Sequence, residues 1–305
     1  MRYIKGRSNL SCTIFVPWDC KNHCKFCTSK NMYKERTCDM EAILAQIKKI
    51  NENPMITEYV LTGGEPLADL EKAQILIDAM DKPVYINTTF PKTDNFDKIC
   101  EFLNKNDRIN GINISRHMHQ KFIEDVEDVI KINEYVNKFI KLNVVLSKEF
   151  DIEEFDRFIE PYKNLNNIVI CIRADYRKIT KDTLKNRDYV FAQLMKKYEY
   201  ESSGGCMVCN DDRFYDAETE LELSYHRGLQ SSLVKYGNRR YVGDVIITID
   251  GMVYPDWDMN ETDIDFERWL FGDYTLDDDI EEYSRDVEFI DWLLKKNNEK
   301  GILDE

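Results

Sequence analysis

Three cysteines, Cys20, Cys24 and Cys27, stand at the spacing C-x3-C-x2-C, short enough for three thiolates to converge on one small inorganic core. Iron–sulfur clusters take thiolate ligands, usually four, so a loop of three leaves one iron of a [4Fe–4S] cube without a protein ligand. That open corner is where chemistry would happen. A structural zinc would want a fourth nearby ligand; His23 could supply it, but its place between the cysteines makes convergence awkward. Downstream, Leu61-Thr62-Gly63-Gly64-Glu65-Pro66 sets two glycines where a bound group could approach the backbone closely, with Pro66 stiffening the exit from the turn.

These residues need a scaffold, and the pattern around them supplies one. Between residues 10 and 175, short β-rich runs alternate with amphipathic stretches, the signature of repeated βα units that form a parallel sheet or barrel. The strands are expected at Cys12 to Val16, Tyr59 to Leu61, Val84 to Asn87, Ile112 to Ser115, Leu142 to Leu146 and Ile168 to Ile172. The helices are expected at Met40 to Ile50, Ala68 to Met80, Phe96 to Leu103, Val126 to Tyr135 and Ile152 to Tyr162, each with apolar residues three and four apart. The cysteine trio then lies in the loop after the first strand, and Gly-Gly-Glu-Pro in the loop after the second. A polar helical stretch follows from Thr180 to Tyr200. Ser202-Ser203-Gly204-Gly205 reads as a loop, Thr219 to Tyr225 and Tyr241 to Ile249 as strands, Asp250-Gly251 as a hairpin turn, and the tail from about 279 to 296 as a helix.

Composition narrows the function. With 305 residues, 43% hydrophobic, the chain can bury a full core. A formal charge of −15 disfavours binding to long nucleic acid. Nine cysteines, an odd number, argue against a disulfide framework and for metal chemistry or isolated buried thiols. No window approaches the roughly 18 apolar residues of a membrane span, and the opening Met1-Arg2-Tyr3-Ile4-Lys5-Gly6 lacks an apolar signal-like stretch, so a cytoplasmic protein is expected.

Phe15-Val16-Pro17-Trp18-Asp19-Cys20 through Cys27, followed by Gly-Gly-Glu-Pro, resembles the radical S-adenosylmethionine (SAM) superfamily over residues 10 to 175. The resemblance implies an α/β fold: a partial (β/α)6 barrel over 1–178, with a small hairpin-and-helix extension, a degenerate twitch-like segment, over 179–305. It implies that the open iron chelates the amino and carboxylate groups of SAM, that an electron from the cluster releases a 5′-deoxyadenosyl radical, and that this radical takes hydrogen from substrate. An external donor such as flavodoxin or ferredoxin would supply the electron. The family pattern sets Phe26 against adenine and Gly63, Gly64 and Glu65 on the methionine ammonium. Thr88, Ser115, Arg116 and Asn143 match places where the family contacts methionine or ribose. Phe26 could instead be core packing, and the later four ordinary turn or cap residues. His117 and His119 read as solvent-side or substrate-contacting, and Arg173 as a cation for a substrate or cofactor carboxylate, or a surface ion pair.

In the C-terminal half, Cys206-Met207-Val208-Cys209 is similar to an auxiliary-cluster pair. The twitch or SPASM-like run Ile247 to Pro255 ends in Asp256 where that pattern has cysteine, so a second cluster is not favoured. Asp256, Trp257 and Asp258 could read a planar base by stacking and by a carboxylate bridging two N–H groups, or form an exposed acidic hairpin with a packed Trp. Together with the length and signature, they look like the queuine lyase branch, which would cleave a 7-deazaguanine small molecule to preQ1 in queuosine salvage. The alternative is a peptide-modifying or glycyl-radical-activating enzyme; a structural metalloprotein would leave Gly-Gly-Glu-Pro without a role.

Overall fold

The computed structural model describes residues 2–6, 10–22, 24–27, 29–119, 121–146, 150–174, 181–204, 211–226, 233–257, 259 and 264–272. The chain enters through β1 (Arg2–Lys5) and β2 (Leu10–Phe15), then α1 (Met32–Glu35) and α2 (Met40–Asn51). Alternation follows: β3 (Ile56–Thr62), α3 (Leu70–Ala79), β4 (Val84–Thr88), α4 (Phe96–Lys105), β5 (Ile109–Ser115), α5 (Val129–Tyr135), β6 (Phe139–Leu146), α6 (Ile152–Ile159), β7 (Ile168–Ala174) and α7 (Lys181–Lys197). All six expected strands and the helices between them are present. The later elements are β8 (Glu199–Gly204), β9 (Asp211–Tyr215), β10 (Glu222–His226), β11 (Leu233–Tyr236), β12 (Arg239–Val242), β13 (Asp244–Ile247), β14 (Val253–Tyr254) and α8 (Ile264–Phe271).

Local chemistry explains the helix starts. Asp39, Asp69, Asp128 and Asp151 precede α2, α3, α5 and α6, and each carboxylate accepts a backbone N–H of the first turn, satisfying donors that the helix leaves unpaired. On α2, Ile43, Ile47 and Ile50 are buried because their three-to-four spacing keeps them on one face. Each contributes about 2 kcal/mol by leaving water.

Eleven strands form one sheet in the order β14-β13-β2-β3-β4-β5-β6-β7-β10-β9-β8. From β13 through β10 the pairings are parallel, so strands from beyond residue 178 extend the sheet on both sides of the six βα units. The order has two ends, and the sheet stays open. A second sheet, β1-β12-β11, carries Tyr3 against Phe266 and Trp269 of α8.

Two expectations are corrected. Ser202-Ser203-Gly204 is not a loop: it ends β8, with Ser202, Ser203 and Gly204 registered against Arg213, Asp212 and Asp211, so a partner strand overrides weak local propensity. Tyr241 to Ile249 is not one strand either. Residues up to Val242 belong to the small sheet, and Asp244 to Ile247 cross to β2 of the large one. The Asp250-Gly251 hairpin forms as expected, with β13 antiparallel to β14 and Gly251 at φ +75°.

The sheet's two faces differ. Residues such as Ile14, Leu61, Ile86, Ile114, Leu142 and Ile170 point into one apolar core with the helices. Their alternate neighbours, including Thr62, Asn87, Asn113, Ser115, Asn143 and Cys171, line the opposite, inner face.

Candidate functional site

The loop after β2 and the loop after β3 are built as one unit. Val16 donates its N–H to Thr62 O at 2.8 Å. Trp18 donates its indole N–H to Glu65 O at 2.8 Å. Tyr33 donates its hydroxyl to Val16 O at 2.8 Å and accepts the N–H of Gly64. Gly64 faces the backbone so closely that a Cβ there would lie 1.9 Å from Trp18 O. The glycine pair is therefore occupied by the chain's own cysteine loop, a role that the motif alone did not reveal.

Cys20, Cys24 and Cys27 are half-buried on that loop. Cys20 Sγ accepts the N–H of Asn22 at 3.3 Å, and Cys27 Sγ lies 3.2 Å from the Ser29 hydroxyl. Asn22 clamps the loop: its Oδ1 accepts the N–H groups of Ile123 and Glu124 at 2.8 and 3.1 Å. That fixes the amide orientation, and leaves Nδ2 buried without a partner among the described residues. Burial pushes the Cys20 and Cys24 thiols up to about 11, helped by the charges of Glu65 and Cys24 at Cys20 and of Cys27 at Cys24. Cys20 and Cys24 therefore hold their protons until a cationic centre displaces them.

These residues fit an iron–sulfur cube. Among the described residues no three Cys, His, Asp or Glu side chains converge on a point that one metal ion could occupy, yet Cys24 feels the charge of Cys27, and Cys20 that of Cys24. Three half-buried thiols on one loop have the donor chemistry of an iron–sulfur cube, which takes thiolate ligands. His23 lies outside the described residues.

Other expected site residues serve the scaffold. The Glu65 carboxylate is buried and accepts from the Thr88 hydroxyl, from the Thr89 hydroxyl and N–H at 2.7 Å each, and from Leu67 N–H at 3.2 Å. Its side chain is thus spent on its own loop, and so is that of Thr88, which also accepts Phe90 N–H. Thr89, missed in the sequence reading, carries half of this work. Burial pushes Glu65 above the usual carboxylate range, with these hydrogen bonds pulling it back. The Arg116 guanidinium is buried and donates to three carbonyls, Thr89 and Ser115 at 2.7 Å and Glu127 at 2.6 Å. It is a strut across the strand ends.

His117 accepts the N–H of Val145 on Nδ1 at 3.1 Å, which places its proton on Nε2. Phe26 packs edge-on against it at 4.6 Å. Burial, reinforced by Arg116, lowers His117 to about 4 and keeps it neutral. His119 turns instead to Glu154 at 3.2 Å, so the two histidines face different partners. Ser115 and Asn143 register with each other on the inner face, and the Asn143 Oδ1 is buried with no partner among the described residues. Arg173 lies near the end of β7, on the same face and near Cys171.

Trp257 is half-buried, and its ring meets Phe15 at 5.8 Å and 69° within a small cluster that includes Tyr254. Asp256 accepts the Trp257 N–H at 2.7 Å. Asp258, Cys206, Cys209 and the tail helix lie outside the described residues.

Residues 19–162 match the family described as the radical SAM superfamily. No curated protein sequence matches the chain. Among solved structures, Streptococcus suis SuiB bound to S-adenosylmethionine is similar with a TM-score of 0.56 at 16% identity, over 87% of this chain and 67% of that one. SuiB bound to its precursor peptide SuiA gives 0.54 at 16%, over 92% and 65%. Histidine-tagged anSMEcpe with bound AdoMet gives 0.50 at 12%, over 81% and 74%. The chain spans about two thirds of the length of the SuiB chains. Among the described residues no helix is long and apolar enough to cross a membrane.

Proposed function

We propose that this radical SAM segment, residues 19–162, serves an enzyme that abstracts hydrogen from a polypeptide substrate. The observation that carries the radical SAM part is the joined pair of loops, in which three half-buried thiols stand beside an unpaired Asn22 amide and are braced through Gly64, Trp18 and Tyr33. A [4Fe–4S] cluster held there supplies the electron for reductive cleavage of SAM. Cys20, Cys24 and Cys27 are its ligands, Asn22 a donor to sulfur, Phe26 an apolar wall for the nucleotide, and His117 the group that fixes that wall.

The polypeptide part is supported by fold likeness to SuiB, whose structure with a precursor peptide is known. The test is anaerobic reconstitution with iron and sulfide, followed by dithionite and SAM. About four irons per chain and release of 5′-deoxyadenosine are expected, with both lost in Cys20→Ala, Cys24→Ala and Cys27→Ala. A pool of short synthetic peptides carrying every coded side chain should raise 5′-deoxyadenosine and change the mass of at least one peptide. A rise with queuine and release of preQ1, with no peptide modified, would return the assignment to a lyase.

A further inference from the structure

One row of side chains crosses the inner face of the sheet. Asn113 of β5 donates its amide N–H to Asn87 Oδ1 at 2.6 Å, and Asn87 donates in turn to Thr62 Oγ1 at 3.1 Å. Lys141 of β6 registers with Asn113, followed by Val169 of β7 and Glu222 of β10. The ladder stops short of Lys141, whose half-buried side chain has neither an ion pair nor a hydrogen bond among the described residues. The chain has 57 acidic residues to offer, and the half-buried Lys82 and Lys163 each hold a carboxylate, at 2.8 and 3.0 Å. Two acids share the inner face with Lys141 and neither pairs with it. Asp211 accepts the Ser224 hydroxyl and lies 3.4 Å from His226 Nε2, and Glu222 stands two strands away, across Val169. Two residues on from Lys141, the Asn143 Oδ1 is buried and unpaired among the described residues. In the row below, Tyr85 lies against Gly111, where a Cβ would stand 3.2 Å from its ring. Past Lys141, Val169, Glu222 and Tyr215 of the same row line a cavity of about 360 Å³, at the small end of ligand pockets. A cation drawn out of water without a partner costs free energy, and a ligand that brings the missing carboxylate removes that cost.

We propose that Lys141 reads a carboxylate of the substrate inside the sheet, so that the enzyme acts on an acidic stretch of polypeptide; this rests on the function proposed above. An ammonium is a compact charge with three donors, and its bonds to a carboxylate are charge-assisted, about twice as strong as neutral ones. Asn143 Oδ1, on the same face of the same strand, supplies an acceptor for an N–H of that stretch. An Asp or Glu within a peptide offers both partners at once. A neutral side chain leaves the ammonium unmatched, and a Lys or Arg sets like charges together. Lys141 is thus a specificity residue that positions the neighbouring C–H, with no part in electron or hydrogen transfer.

The test uses the reconstituted chain, immobilised, and the same pool of short synthetic peptides, with retained peptides read by mass spectrometry. Those containing Asp or Glu should be enriched about tenfold over matched Asn or Gln peptides, against a net charge of −15 that repels them. Lys141→Gln should bring that ratio close to one, Lys141→Arg should keep most of it, and Lys141→Glu should turn retention toward peptides with Lys or Arg. If Lys141→Glu is unfolded by circular dichroism, the Gln and Arg variants decide alone. No acidic enrichment in the wild type, or the same retained set in Lys141→Gln, overturns the proposal. So does a Lys141→Gln protein that keeps the acidic enrichment but needs more SAM to release 5′-deoxyadenosine without peptide, since Lys141 would then hold the cofactor's carboxylate. Acidic peptides retained through Lys141 with none changed in mass would uphold the carboxylate site and strike the peptide-modifying reading instead.

Discussion

The strand ends of β2 to β5 and the inner face of β6, β7 and β10 are neighbouring parts of one sheet, built on opposite principles. In the first, nearly every polar group is spent on the protein: four donors saturate Glu65, three carbonyls hold Arg116, and a backbone carbonyl fills the space beside Gly64. In the second, an amide oxygen of Asn143 is left unpaired and a buried thiol sits among cations. The first region resembles a rigid mount, and the second leaves interactions unmade in the folded chain. Unpaired buried groups cost stability, so such a cost marks where a ligand is expected to complete the bonding.

The contrast can be broken from either side. Gly64→Ala should do most damage, since Trp18 O has no room to retreat without giving up the Trp18–Glu65 bond; a loss of about 3–5 kcal/mol in denaturant unfolding and failure to load iron are expected. Arg116→Lys should cost about 2–3 kcal/mol in the same assay, because one ammonium cannot reproduce a planar fork that reaches three carbonyls. His117 sharpens the boundary between the regions through pH. Its folded pKa of about 4 lies below the usual 6.5, so its neutral form adds stability above pH 6.5 that is lost as pH falls toward 4. The wild type should therefore lose stability relative to His117→Phe over that window, and a flat difference would contradict the burial. Asn143→Leu should have the smallest effect on folding and the opposite sign: a gain of about 1 kcal/mol from removing an unpaired acceptor, with 5′-deoxyadenosine formation reduced. A loss of stability there would mean that the amide is already bonded within the fold.

Much of the scaffold was legible in the sequence because alternation and three-to-four spacing are local signals, and the six βα units carry both. Spacing also marked the trio Cys20, Cys24 and Cys27 as a group. What escaped was set by distant partners. Ser202 and Ser203 became strand because β9 lay alongside. The donors that Thr88, Thr89 and Leu67 bring around the Glu65 carboxylate meet only in the fold. The register of Cys171 with Ser224 crosses more than fifty positions of chain and becomes visible only through the parallel pairing of β7 with β10.

The placement of β13 beside β2 has a consequence for biogenesis. Ser11 and Thr13 donate to the Asp244 carboxylate across more than two hundred residues, so a nascent chain leaves that flank of β2 bare until most of the polypeptide has emerged from the ribosome. The hairpin that follows β13 also braces the segment just past the cysteines, through Arg36 to Asp250 and Asp39 to Ile249. Iron acquisition in the cell should therefore come after synthesis, once this late-made brace has closed, and a truncation ahead of residue 244 should be metal-poor even though it keeps every cysteine of the trio.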